Sequence, residues 1–133
     1  MNKVIAVTIG DIDGIGLDIL LKTWKDKKIK NIILITNIDI LLKSLKKRKV
    51  NIRYNLIKYE KTELNLVKNK LNILSYKAYS LEDNTYQSLN YAYQLCLSKK
   101  CIGMITLPLR KDLIKNKIDK KFIGHTEFFQ KLD

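Results

Sequence analysis

The first apolar positions of the chain form a short continuous run, and later ones recur at helical spacing, so the two kinds of element can be told apart by period. Val4-Ile5-Ala6-Val7-Thr8-Ile9 is β-branched and closed by Gly10, the pattern of a strand covered on both faces, as in a parallel sheet. From Leu17 to Lys25 the period changes, and Ile19, Leu20 and Trp24 share helical spacing. A second strand is expected at Asn31 to Thr36; it leads into Ile38, Leu41, Leu42 and Leu45 at i, i+3, i+4 and i+7, with Asn37 placed as a helix N-cap. A third strand covers Asn51 to Ile57, and the polar stretch Lys58 to Lys70 reads as a surface excursion before a strand at Leu71 to Ser75. Asn84-Thr85-Tyr86-Gln87 has the form of a capping box ahead of Leu89, Ala92, Tyr93, Cys96 and Leu97, which predicts a helix running to about Ser98. Cys101 to Thr106 is again of the buried-strand type, and Pro108, which has no amide hydrogen, marks where its ladder ends.

Strands alternating with amphipathic helices imply βαβ units and an α/β fold, a mostly parallel sheet flanked by helices. Residues 1–133 read as a single region. It stops at Leu132-Asp133 with no closing element after Phe128-Phe129, so an incomplete, truncated α/β unit is expected.

Composition changes this picture little. Apolar residues make up 46% of the chain and charged residues 29%, which excludes the disordered class. No apolar run approaches the roughly 18 residues of a membrane span, and Met1-Asn2-Lys3-Val4 enters the first strand without a signal-peptide pattern, so a cytoplasmic protein is expected. Cys96 and Cys101 have no further Cys or His pair at ligand spacing and read as reduced, structural residues. The net charge of +13 raises the question of a nucleic-acid partner, but the positive residues are spread from Lys3 to Lys131 without interleaved aromatics. The densest cluster, Lys43 to Lys49, follows an apolar stripe and reads as the solvated face of a helix.

Candidate chemistry lies in the loops beyond strand ends, because ligands of open α/β sheets bind outside the carboxyl ends of their strands. Gly10-Asp11-Ile12-Asp13-Gly14-Ile15-Gly16 lets backbone approach a ligand and aims amides and a helix N-terminus at negative charge. Its glycine spacing is neither the dinucleotide fingerprint nor a P-loop, and a purely structural turn is an equal reading. Asp13 is placed to cap the following helix. Thr106-Leu107-Pro108-Leu109-Arg110-Lys111 sets two cations beyond a strand, before a helix expected at Asp112 to Asn116. His125 is the sole histidine, so the chain cannot supply a zinc site with the usual three protein ligands.

Three segments together carry a family resemblance: Ile5 to Gly16, Thr106 to Lys111, and Gly124-His125-Thr126-Glu127-Phe128-Phe129. In order and spacing they resemble the 4-hydroxythreonine-4-phosphate dehydrogenases, over the N-terminal part of that family. Ile12-Asp13 stands where the family usually has Pro-Ala, and Leu109-Arg110 precedes the lysine where Asn or His is common. The resemblance implies an isocitrate/isopropylmalate dehydrogenase-like fold and NAD-dependent oxidation and decarboxylation of 4-phosphooxy-L-threonine to 3-amino-2-oxopropyl phosphate, in vitamin B6 synthesis. It implies NAD and a divalent metal (zinc, magnesium or cobalt) as cofactors, the metal ligands being absent from this chain. His125 and Thr126 would contact substrate, Lys111 and Thr106 would lie near its anionic group, and Gly10, Asp11, Gly14 and Gly16 would form a ligand-facing loop. As partners it implies a homodimer or a complementing C-terminal half. Beside it stand a non-catalytic module that binds phosphorylated ligands, and half of a split enzyme.

Overall fold

A computed structural model of the chain describes residues 3–58 and 64–109. Strands and helices follow in the order β1 (Ile5–Thr8), α1 (Ile15–Lys25), β2 (Ile32–Ile35), α2 (Ile38–Lys47), β3 (Tyr54–Lys58), β4 (Leu71–Ser75), α3 (Leu81–Leu97) and β5 (Gly103–Thr106). Every described strand pair is parallel, and the sheet order is β3-β4-β2-β1-β5. The α/β class expected from the alternating pattern is the observed one.

Both faces of the sheet are covered, which explains why β1, β2 and β4 lack a polar alternation. Val7, Ile9, Leu34 and Ile73 belong to the core under α1 and α2. Val4, Ala6, Ile33, Ile35 and Leu74 pack with Ala92 and Leu95 of α3 on the other side. The chain leaves β1 through α1 to reach β2, and later returns from β4 through α3 to β5, on the opposite flank of β1. The winding therefore reverses between β1 and β5, and a crevice at the carboxyl ends of those two strands is where such sheets bind ligands.

Three apolar residues expected inside lie outside. Ile19 is 58% exposed, because the buried face of α1 is set by Leu17, Leu20 and Leu21, and a residue two places after Leu17 points about 200° away from it. Leu42, one position after buried Leu41, and Leu97, the last residue of α3, are also exposed. The N-cap expected at Asn37 is present, its side chain accepting from the Ile40 amide at 3.1 Å.

All three described helices end in the same way. Lys27, Lys49 and Lys99 follow the C-cap residues with φ of 57°, 55° and 63°. Each helix closes with paired bonds of the Schellman type, Lys27 N to Trp24 O with Lys28 N to Thr23 O, and likewise at Lys49/Val50 and Lys99/Lys100. Glycine occupies this position without strain, whereas a side chain there costs about 1 kcal/mol. Changing the three lysines to glycine is expected to raise Tm by about 10 °C in a thermal scan. Alanine at the same positions, which removes the charge but keeps the strain, should leave Tm nearly unchanged.

Candidate functional site

The carboxyl ends of β1 and β5 meet directly. Thr8 and Thr106 are register partners, and Leu107 N donates to Thr8 O at 3.3 Å. Beyond them the glycine loop lies against the loop after β5, with Asp11 N donating to Pro108 O at 2.8 Å. A Cβ on Gly10 would sit 1.9 Å from the Pro108 carbonyl oxygen, and one on Gly16 would sit 2.8 Å from Pro108 Cδ. The requirement for glycine at positions 10 and 16 thus comes from loop-to-loop contact, and a Cβ on Gly14 would sit 3.2 Å from Asp11.

From the other side α3 holds the end of β1 with two hydroxyls. Ser88 Oγ accepts from Ile9 N at 2.8 Å and donates to Ile35 O at 2.6 Å, while Thr85 Oγ1 donates to Gly10 O at 3.0 Å. Both side chains are buried, Thr85 within the stretch expected to be a capping box. A serine and a threonine one turn apart on α3 carry no sequence signal that separates them from solvent-facing residues.

Asp13 does not cap α1. The helix begins at Ile15, earlier than the apolar period indicates, so the N-cap position falls on Gly14, which has no side chain to donate or accept. Asp13 is exposed, and its amide donates to Asp11 Oδ1 at 3.2 Å in a local turn. Asp11 therefore orders the loop itself.

Arg48 departs from the solvated face assigned to the Lys43–Lys49 cluster. Its side chain is only 15% exposed, and its guanidinium reaches Asp18 Oδ1 at 2.7 Å, Ile12 O at 3.0 Å and Gly14 O at 2.9 Å, besides Ser44 Oγ. Ser44 Oγ also donates to Ile12 O at 3.0 Å. An Arg four residues after a Ser on a basic helix gives no sequence sign of this, because the partners are backbone carbonyls of a distant loop.

Asn84 is not an N-cap either. Helix α3 starts at Leu81, with Ser80 Oγ accepting from Asp83 N at 3.0 Å and Asp83 Oδ2 accepting from Tyr79 N at 3.0 Å. The pattern Ser80-Leu81-Glu82-Asp83 is the working cap, four residues before the one read from Asn84 and Gln87. Asn84, 1% exposed, instead joins the ends of β2 and β4: its Oδ1 accepts from Asn37 N and Tyr76 Oη, both at 2.8 Å, and its Nδ2 donates to Thr36 Oγ1 at 3.0 Å. Burial raises the Tyr76 phenol well above its ordinary range, so it serves as a hydrogen donor at any working pH.

Both cysteines are free, and burial pushes the Cys101 thiol up to about 12. It is protonated at neutral pH and unreactive, in keeping with a structural role.

Thr106 ends β5 and Gly10, Asp11, Gly14 and Gly16 form the adjoining loop, so five of the expected site residues are brought together. Lys111, His125 and Thr126 lie outside the described residues. Among the described residues no group of three His, Cys, Asp or Glu side chains is arranged to hold a metal ion. The glycine contacts are filled by the Pro108 loop, so they do not form a cradle for a dinucleotide pyrophosphate. The described residues fit neither the metal nor the dinucleotide.

This layout defines a class: a parallel α/β domain in which the loops after β1 and β5 meet at the carboxyl ends of the strands. The comparisons narrow it. The chain is 29% identical over 144 aligned positions to the 4-hydroxythreonine-4-phosphate dehydrogenase of Wigglesworthia glossinidia brevipalpis, a match that covers 96% of this chain and 42% of that protein. The crystal structure of the 4-hydroxythreonine-4-phosphate dehydrogenase from Klebsiella pneumoniae superposes with a TM-score of 0.78 at 20% identity, covering 98% of this chain and 44% of the other. That from Burkholderia phymatum gives 0.78 at 20% identity, with 99% and 44% covered. No protein-family model matches the chain. The similarity to 4-hydroxythreonine-4-phosphate dehydrogenases inferred from the three motifs therefore extends over nearly the whole chain, which spans less than half the length of those relatives. Among the described residues no helix is long and apolar enough to cross a membrane.

Proposed function

We propose that this chain forms the substrate-holding part of an NAD-dependent dehydrogenase acting on 4-hydroxythreonine-4-phosphate. The observation that carries this reading is the similarity to the Wigglesworthia enzyme over 96% of the chain. Its fold-level support is the meeting of the glycine loop with the β5 loop at the point where the sheet's winding reverses. The reaction this implies is oxidation of the substrate hydroxyl and loss of carbon dioxide to leave 3-amino-2-oxopropyl phosphate; NAD and a divalent metal, which the described residues do not hold, would supply hydride acceptance and Lewis-acid polarisation.

In this reading His125 and Thr126 contact the substrate, and Lys111 and Thr106 lie near its phosphate. The Gly10–Gly16 loop forms one wall of the crevice. A completing polypeptide or a second subunit supplies the metal ligands and the rest of the NAD site. The far edge of β5 fits that need: it pairs with no described strand, and Ile105 is 40% exposed in a strand of buried-type composition.

The test is an absorbance assay for NADH, combining this chain with a polypeptide matching the uncovered remainder of the Wigglesworthia relative, substrate, NAD and a divalent metal. NADH formation that requires both polypeptides is expected, and its absence would count against the dehydrogenase reading. A second reading, a non-catalytic module for phosphorylated ligands, is favoured by the packing of Gly10 and Gly16 on the Pro108 loop, where a dinucleotide would need open space. Calorimetry showing that this chain binds 4-hydroxythreonine-4-phosphate while the complemented mixture makes no NADH would select it.

A further inference from the structure

The geometry points to Arg48 as the positioning residue of the Gly10–Gly16 loop, fixing from behind which way that loop presents its amides; its bearing on ligand binding rests on the functional reading above. The peptide bonds described are all trans, and in a planar trans peptide the carbonyl of one residue and the N–H of the next point in opposite directions. Arg48 draws the Ile12 and Gly14 carbonyls toward α2, at 3.0 Å and 2.9 Å. The amides of Asp13 and Ile15 are thereby turned to the other side, away from α2. The Asp13 amide meets Asp11 Oδ1, and the Ile15 amide opens α1 at a terminus where no side chain caps it.

A planar guanidinium with five donors can serve two carbonyls, a hydroxyl and a carboxylate together, which a lysine ammonium cannot do in one geometry. Arg48 also stands at the C-cap of α2, where its positive charge is favourable to that helix. Ser44, one turn earlier, reinforces the same Ile12 carbonyl. The Asp18 carboxylate, 53% exposed, aligns the guanidinium from the solvent side and contributes less.

The experiment compares the full chain with R48M, R48K and D18N, reading amide hydrogen exchange by NMR alongside calorimetry with 4-hydroxythreonine-4-phosphate. In R48M the Gly14 amide, bonded to Asp11 O at 2.9 Å, is expected to exchange about tenfold faster or more, while Leu34 and Ile73 in the sheet keep their rates. R48K should restore less than half of the lost protection, and D18N should stay within about twofold of wild type in exchange and binding. Ligand affinity should fall about tenfold in R48M. Equal acceleration at Leu34 and Gly14 would mean a merely structural role and would overturn the inference, as would unchanged Gly14 exchange. If the wild-type chain binds no ligand, the functional reading fails, and the exchange data still decide the role of Arg48.

Discussion

Gly10→Ala is expected to destabilise the chain by about 3 kcal/mol, because the added methyl would meet a backbone oxygen with no rotamer to relieve it. The Pro108 carbonyl lies 1.9 Å from the ideal Cβ position and is itself held by the Asp11 amide at 2.8 Å. Relief therefore requires the loops after β1 and β5 to separate. The glycines of the chain provide an internal scale for this claim. Gly16→Ala meets the Pro108 ring at 2.8 Å and should cost less, while Gly103, with nothing within 4 Å of an added Cβ, should tolerate alanine with little change. Urea unfolding of the three variants should give that order. A Gly10→Ala protein as stable as Gly103→Ala would mean that the two loops do not touch.

Asn84→Ala separates the sequence reading from the structural one. As an N-cap, Asn84 would be worth about 1 kcal/mol. As the centre of a buried network its loss strands the Asn37 amide and takes a donor from the Thr36 hydroxyl, which keeps only its 3.3 Å bond to Asn37 O, and about 3 kcal/mol is expected. Tyr76 Oη keeps a second acceptor, Asn84 O at 2.6 Å, so its own penalty stays small. Ser80→Ala, which removes the observed cap, should cost about 1 kcal/mol. Urea midpoints that rank Ser80→Ala above Asn84→Ala in cost would contradict the network.

The elements legible in the sequence were those whose burial follows a single period. β1, β2 and β4 are apolar on both faces and sit within a residue or two of where their runs placed them, and Asn37 caps α2 as its position indicated. The misreadings share a cause: polar side chains whose partners are remote in sequence. Asn84 has the composition of a cap, Arg48 that of a solvated lysine-rich face, and Ser88 that of a surface helix residue, yet each satisfies backbone groups 34 to 79 positions away, a separation that periodicity cannot register. For the site, placement at the carboxyl ends of strands brought together Thr106 and the glycine loop, because β1 and β5 are neighbours in the sheet. That the glycines serve loop packing was not legible, since close approach to a ligand and to another loop demand the same residue.

Where the ligand binds is the claim on which the functional account turns, and a titration of isotope-labelled chain with 4-hydroxythreonine-4-phosphate, followed residue by residue in amide NMR spectra, tests it most directly. Shifts are expected to concentrate at Gly10 to Gly16 and at Thr106 and Leu107. Shifts confined to the amino ends of the strands, around Asn31 and Ile102, would contradict it.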